Sequence, residues 1–188
     1  MAEGGGTRAA AIDAAVDVIA ARGYHALSMR EVAKAAGIRA PSLYNHFAGK
    51  DDLVAAAVRE RHPFAALAPR LAALEGETPE ALVREAAGLV VAAVDTRPAL
   101  LDLLLVELVD LRGIHLSDVL PELIAAVAPF LDRVEAVAAE RMRLDRMRFL
   151  RAFGAMLMSH LVLKHRAGLS PDLEADIDAL LFGALEAA

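Results

Sequence analysis

Between Ser28 and Lys50 the chain gathers side chains that can donate to anions and to base edges: Arg30, Arg39, Ser42, Tyr44, Asn45, His46 and Lys50. The same segment holds four Lys or Arg residues against a single acid, Glu31. Guanidinium and ammonium groups pair with phosphate, while hydroxyl and amide groups add short-range donors that fix register and read bases. The chemistry implied is recognition of a polyanion. Catalytic alternatives find little support. The chain has no cysteine, so disulfides and thiolate metal sites are excluded. His160 and His165 lie five residues apart, off the i, i+4 spacing that would put two ligands on one helical face. Neither a glycine-rich phosphate loop nor a nucleophile elbow is visible. The expectation is a protein that is not an enzyme and needs no metal or cofactor.

These donors must be held on a small, rigid scaffold. Ser28 stands three residues before Glu31, the spacing of a capping box, so a helix should start there. Gly37 can take the positive φ that a sharp turn needs. Pro41 suits the first turn of a following helix, where a missing N–H costs little. Ala33 offers a small residue where two helices cross steeply, and Val32, Ile38, Leu43 and Phe47 are spaced to hold the second helix on a core. The pattern is a helix-turn-helix, whose second helix lies in a major groove.

The charge distribution fits that reading. Net charge is −6, but residues 1–62 carry eight basic and seven acidic residues, against 12 basic and 19 acidic afterwards. A locally basic face on an acidic body directs one surface toward phosphate.

The rest of the chain is alanine- and leucine-rich, with 57% apolar but only 4% aromatic residues and no alternating runs, so the fold class expected is all-α. No secretory leader is evident, and no uncharged apolar run reaches the ~18 residues of a membrane span; a cytoplasmic protein is expected. Residues 1–6 read as a disordered tail, and Thr7 as the cap of a first helix ending at Gly23, with Ile12, Ala15, Val16 and Ile19 on its buried face. A composition shift after Pro63 suggests a DNA-binding domain over 7–62 and a second helical domain over 63–188. Further helices are expected near 64–74, 79–95, 98–112, 117–141, 145–167 and 171–187, with Pro121 and Pro129 leaving 117–141 as two helices or one kinked helix.

The first 54 residues resemble the DNA-binding domain of the tetracycline-repressor (TetR) family. The likeness rests on Gly23-Tyr24, Ser28, Val32-Ala33, Ala36-Gly37-Ile38, Leu43-Tyr44-Asn45-His46-Phe47, Lys50 and Leu53, and covers about residues 8–54. The resemblance implies that Tyr44, His46 and Lys50 hold the phosphate backbone, with Ser28 and Ser42 as further donors. It turns Arg30, Arg39, Ala40, Pro41 and Asn45 toward the major groove. Ala40 departs from a polar reader and can offer only apolar contact. Met29 stands where a second hydroxyl is common in the family.

The resemblance also implies a homodimer whose C-terminal domain binds a small-molecule effector. For dimerisation the helical stripe Met147, Leu150, Gly154, Leu157 and Leu161, with Leu173, Ile177, Leu180, Leu181 and Ala184, could build a four-helix bundle between two copies. For an effector, Leu101, Leu105, Leu108, Leu111, Phe153 and Met156 could line a cavity, with Glu107, His115 and His160 as orienting groups. An apolar or acyl-type ligand fits that lining. The function expected is a repressor released from a palindromic double-stranded DNA operator by its effector. The alternative is a ligand-independent or protein-partnered DNA-organising protein with the same head.

Overall fold

The computed structural model describes residues 3–61 and 63–185, with the backbone alone at 3–5, 63–66 and 116–119. Among these residues there are ten α-helices: α1 (Glu3–Arg22), α2 (Met29–Ala35), α3 (Ala40–Tyr44), α4 (Lys50–Arg61), α5 (Pro63–Ala72), α6 (Pro79–Thr96), α7 (Ala99–Val109), α8 (Leu116–Ala138), α9 (Arg146–His165) and α10 (Leu173–Ala184). No strand forms among them, and the fold is all-α. Met142 pairs with Leu185 in an isolated antiparallel bridge.

One departure from expectation concerns a helix limit. α1 begins at Glu3 and runs through Gly4–Gly6, so the disordered tail is not seen from residue 3 onward. Extending an existing helix adds a hydrogen bond for each residue fixed. That acts against the glycine penalty of about 1 kcal/mol per residue. α8 is one helix through Pro121 and Pro129. Met1 and Ala2 of the expected tail, and residues 186–187 of the expected last helix, lie outside the described residues.

The chain divides into two compact units that are not contiguous in sequence. The first takes residues up to Ala65 together with Arg97–Glu122; the second takes Ala66–Thr96 and residues from Leu123 onward. A single cut after residue 62 therefore separates α1–α4 from α7, which packs on α1 and α4.

In the first unit α1 is the central strut, touching α2, α3, α4 and α7. Its expected face is buried: Ile12, Ala15 and Val16 are fully enclosed and Ile19 nearly so. Leu27, Val32, Leu43, Phe47, Leu53 and Leu101 close around it. Each such side chain contributes about 1.5–3 kcal/mol through lost contact with water. Gly23 ends α1 at φ 78°, its N–H reaching the Ile19 carbonyl at 2.8 Å.

A charged cluster spans the same helices. Asp13 of α1 accepts from Arg61 of α4 through Nε at 2.9 Å and Nη2 at 3.3 Å, and from Arg97 Nη1 at 2.9 Å. Arg61, in the last turn of α4, is thus an ion-pair partner of α1. The Arg61 hydrogen bond, with Arg97 assisting, holds the Asp13 carboxyl below the usual carboxylate range. A carboxyl depressed in the folded state stabilises fully above its unfolded pKa of about 3.9 and loses that contribution as pH falls through the lower folded value. Asp13 is partly exposed, so water screens the pair and the expected effect is about 1 kcal/mol or less. Urea unfolding between pH 6 and pH 2 should show that loss in the wild type and not in Asp13→Asn. Parallel pH profiles for the two proteins would remove the cluster from the stability account.

In the second unit α9 and α10 pack on each other and on α6. Phe149 and Phe153 stack with parallel rings 6.1 Å apart, and Phe130 of α8 meets Phe153 at 6.3 Å. Asp145 and Asp172 cap α9 and α10 through side-chain oxygens. Arg84 of α6 pairs with Glu174 and Asp178 of α10, and Arg146 of α9 with Asp132 and Glu135 of α8.

This packing divides the expected dimer stripe between core and surface. Leu157, Leu161, Ile177, Leu181 and Ala184 are buried within the unit and form its core. Of that set, Met147 is exposed and Leu150, Gly154, Leu173 and Leu180 are half-buried. The three-four spacing ran diagonally across two faces of α9, because Phe149 and Phe153, rather than Met147 and Leu150, begin the inward row. The largest exposed apolar side chain on α10 is Phe182, at 83% exposure, which spacing alone did not single out.

Candidate nucleic-acid interface

The helix-turn-helix is built from α2 and α3. Ser28 caps α2 from an extended backbone, its Oγ accepting from the Glu31 N–H at 3.2 Å. The reciprocal half of the capping box is absent, because the Glu31 carboxylate turns to Arg22 at 2.7 Å. That ion pair neutralises the single acid of the segment. Gly37 sits at φ 68°, and the Ile38 N–H returns to the Ala33 carbonyl at 2.9 Å to close the turn. Arg39 precedes α3 in an extended conformation and Pro41 lies in its first turn.

Beneath this turn Val32, Ala33, Leu43 and Phe47 are buried, while Ile38 is half-buried. Outward stand Arg30, Arg39, Pro41, Tyr44 and Asn45; Ala40, Ser42, His46 and Lys50 are half-buried at the edges. Tyr44 is 56% exposed beside a Phe47 that is 2% exposed, so two aromatics three residues apart serve opposite faces. The side chains of Arg30, Arg39, Tyr44 and Asn45 have no polar partner among the described residues. Their hydrogen-bonding capacity is therefore uncommitted.

Lys50 is different. Its ammonium donates to the Tyr24 carbonyl oxygen at 2.8 Å and lies 3.7 Å from the centre of the Tyr24 ring. The Tyr24 hydroxyl meets Asp51 at 3.4 Å. Burial, reinforced by the Asp51 charge, pushes the Tyr24 phenol above its usual range, so it stays neutral. Asp52 accepts from the Ala48 N–H at 2.9 Å and fixes the start of α4. The Tyr24–Lys50 contact joins residues 26 positions apart, and no periodicity in the sequence signals it.

The candidate effector residues fall into both units. Leu101, Leu105, Glu107, Leu108, Leu111 and His115 belong to the first, and Phe153, Met156 and His160 to the second. Glu107 and His115 are brought together and satisfy each other: the Glu107 carboxylate accepts from the His115 backbone N–H at 2.7 Å and meets its Nδ1 at 2.8 Å. His160 is buried against Asp176 at 3.0 Å. Leu101 is buried, Leu108 is exposed, and Leu105, Leu111 and Met156 are half-buried.

A closed three-helix core carrying a helix-turn-helix with an open row of donors, followed by further helices, defines a DNA-binding regulator of the helix-turn-helix class. Residues 11–57 match the model of the bacterial regulatory proteins of the tetR family. Solved structures share the fold across nearly the whole chain. A TetR family transcription regulator from Marinobacter aquaeolei VT8 superposes with a TM-score of 0.73 at 14% identity, covering 97% of both chains. The transcriptional regulator FadR from Bacillus subtilis, solved with stearoyl-CoA, gives 0.70 at 20% identity, covering 92% of this chain and 95% of that one. The ketosteroid transcriptional regulator KstR2 of Mycobacterium tuberculosis gives 0.65 at 20% identity, covering 96% and 95%. No curated protein sequence matches the chain. The family likeness is thus carried by the DNA-binding head, residues 11–57, and the remainder of the chain shares the fold of these regulators. No helix among the described residues is long and apolar enough to cross a membrane.

Proposed function

We propose that this protein is a homodimeric repressor that binds a palindromic operator and is released from it by an apolar or acyl-type effector. The observation that carries the reading is the row Arg30, Arg39, Tyr44 and Asn45, exposed and uncommitted above a closed core. In this reading Tyr44, His46 and Lys50 anchor phosphates, with Ser28 and Ser42 at the rim. Arg30, Arg39 and Asn45 read base edges, an arginine to guanine being the strongest single choice, while Ala40 and Pro41 give apolar contact.

Dimerisation fits the exposed part of α9 and α10. Phe182 and Met147 are apolar and open, and a side chain added at Gly154 or Gly183 would meet nothing within 4 Å. Those positions leave space for a second copy to approach. Two heads about 34–36 Å apart would meet successive major grooves on one side of the duplex. The acyl-type effector is supported by the apolar run of α7 and by the ligand of the Bacillus subtilis FadR structure. Release requires the effector to favour the released arrangement over the bound one, since equal affinity for both shifts nothing.

The test is selection of duplexes from a random pool by the full-length chain, followed by titration with stearoyl-CoA. Selected sequences should carry inverted half-sites one helical turn apart, and Arg39→Ala should lose about 1–3 kcal/mol of discrimination at one base pair in each half-site. Phe182→Arg should weaken binding to the paired site and leave a monomeric protein in sedimentation. Stearoyl-CoA should lower operator affinity. Single, unpaired half-sites bound by a monomer would overturn the dimeric reading, and operator affinity indifferent to stearoyl-CoA would overturn the acyl-type effector.

A further inference from the structure

We propose that Tyr24 is a positioning residue for DNA binding: it holds the Lys50 ammonium in place for a phosphate before DNA arrives. The inference rests on the reading of Lys50 as a phosphate contact and adds to it a residue outside the helix-turn-helix. Lys50 stands at the first position of α4, and its flexible stem would ordinarily sample many rotamers. Here two interactions with one residue fix it. The Tyr24 carbonyl accepts one of its three N–H groups at 2.8 Å, and the Tyr24 ring lies under the ammonium at 3.7 Å from its centre. Two N–H groups remain for an incoming phosphate oxygen.

Tyr24 is in turn held from both sides. Gly23, at φ 78°, turns the backbone so that the Tyr24–Ala26 turn presents its carbonyl toward α4. The Tyr24 hydroxyl reaches Asp51, the residue after Lys50. Ordering of a lysine side chain carries a free-energy cost of roughly a factor of ten or more in binding if it occurs only on association. A lysine already ordered in the free protein avoids it.

The experiment compares the wild type with Tyr24→Leu, Lys50→Ala and the double variant, by fluorescence anisotropy against a duplex the wild type has selected from a random pool, at 50–200 mM KCl. Tyr24→Leu should weaken binding about five- to tenfold with the salt dependence retained. Lys50→Ala should reduce the slope of log affinity against log salt by about 0.9, one phosphate contact. Tyr24→Leu should then cost nothing further in the Lys50→Ala background. An equal loss from Tyr24→Leu with or without Lys50 would make Tyr24 a structural residue only and overturn the proposal. An unchanged slope in Lys50→Ala would overturn it too, leaving Lys50 as a clamp on the turn. A wild type that selects no duplex would instead strike at the DNA-binding reading itself. Should Tyr24→Leu fail to fold, the wild type still decides: the Lys50 ε-protons should be shifted upfield by the Tyr24 ring current, and ordinary lysine shifts would overturn the proposal.

Discussion

Replacing Phe47 by alanine is expected to cost the first unit about 3–5 kcal/mol, a large share of the stability of an ordinary domain. Phe47 lies between α3 and α4, is 2% exposed, and its N–H returns to the Leu43 carbonyl at 3.0 Å. Its ring is also covered by the Arg8 guanidinium of α1 at 5.3 Å. Truncation removes the transfer energy of an aromatic ring and leaves a cavity where α1 and the helix-turn-helix meet. Leu43 and Leu53, both fully buried, line the same core and cannot close that gap without moving α3 or α4. Denaturant unfolding followed by circular dichroism should show a markedly lower midpoint, and DNA binding should disappear near physiological temperature. Tyr44→Ala makes the contrast. At 56% exposure it should change stability by about 0.5 kcal/mol or less, yet it should abolish tight DNA binding. A Phe47→Ala protein with an unchanged midpoint would show that the head is not organised around this ring.

That contrast also shows what was legible in the amino-acid order. Local features were. The Ser28 cap, the positive φ at Gly37, the inward run Val32–Ala33–Leu43–Phe47 and the outward Tyr44 follow from spacing over a few residues, the range at which helix geometry acts. Contacts between distant residues were not. Asp13 meets Arg97 across 84 positions, and Lys50 meets Tyr24 across 26. Charged or aromatic residues at such separations carry no periodic signal. The grouping of α7 with α1 and α4 belongs to the same class, since an apolar helix does not reveal which partner buries it. The expected dimer stripe divides between core and surface for a narrower reason. Leucines at three-four spacing occur on both inner and outer faces of α9, and only Phe149 and Phe153, stacked inward, show which face is the core. The capping box was half right because Glu31 had a stronger partner in Arg22 than in a backbone N–H.

Glu107→Ala is the second change expected to be severe, at about 3–5 kcal/mol, the scale for breaking a buried polar pair by removing one member. Glu107 is fully buried near the end of α7. Both of its carboxylate oxygens are used by His115, and its own carbonyl accepts from the Gly113 N–H at 2.8 Å. The loop between is tightly wound: Arg112 and Gly113 take φ values of 55° and 71° in succession. Arg112 in that region costs about 1–3 kcal/mol, so the surrounding contacts must over-determine the turn, and the Glu107 carboxylate is the contact that does so from inside. Alanine would leave the His115 N–H without an acceptor and an unfilled space beside it. Glutamine keeps a carbonyl oxygen for that N–H and offers an amide N–H to the imidazole, so Glu107→Gln should cost only about 1 kcal/mol. Denaturant midpoints rank the two variants, and hydrogen exchange at the Gly113 and His115 amides locates the loss. Fast exchange at those amides in Glu107→Ala, with near-normal protection in Glu107→Gln, is the expected result. A glutamine variant as damaged as the alanine one would mean that the negative charge, rather than the hydrogen-bond geometry, holds the turn. An alanine variant with protected amides would mean that the loop is held by its backbone alone.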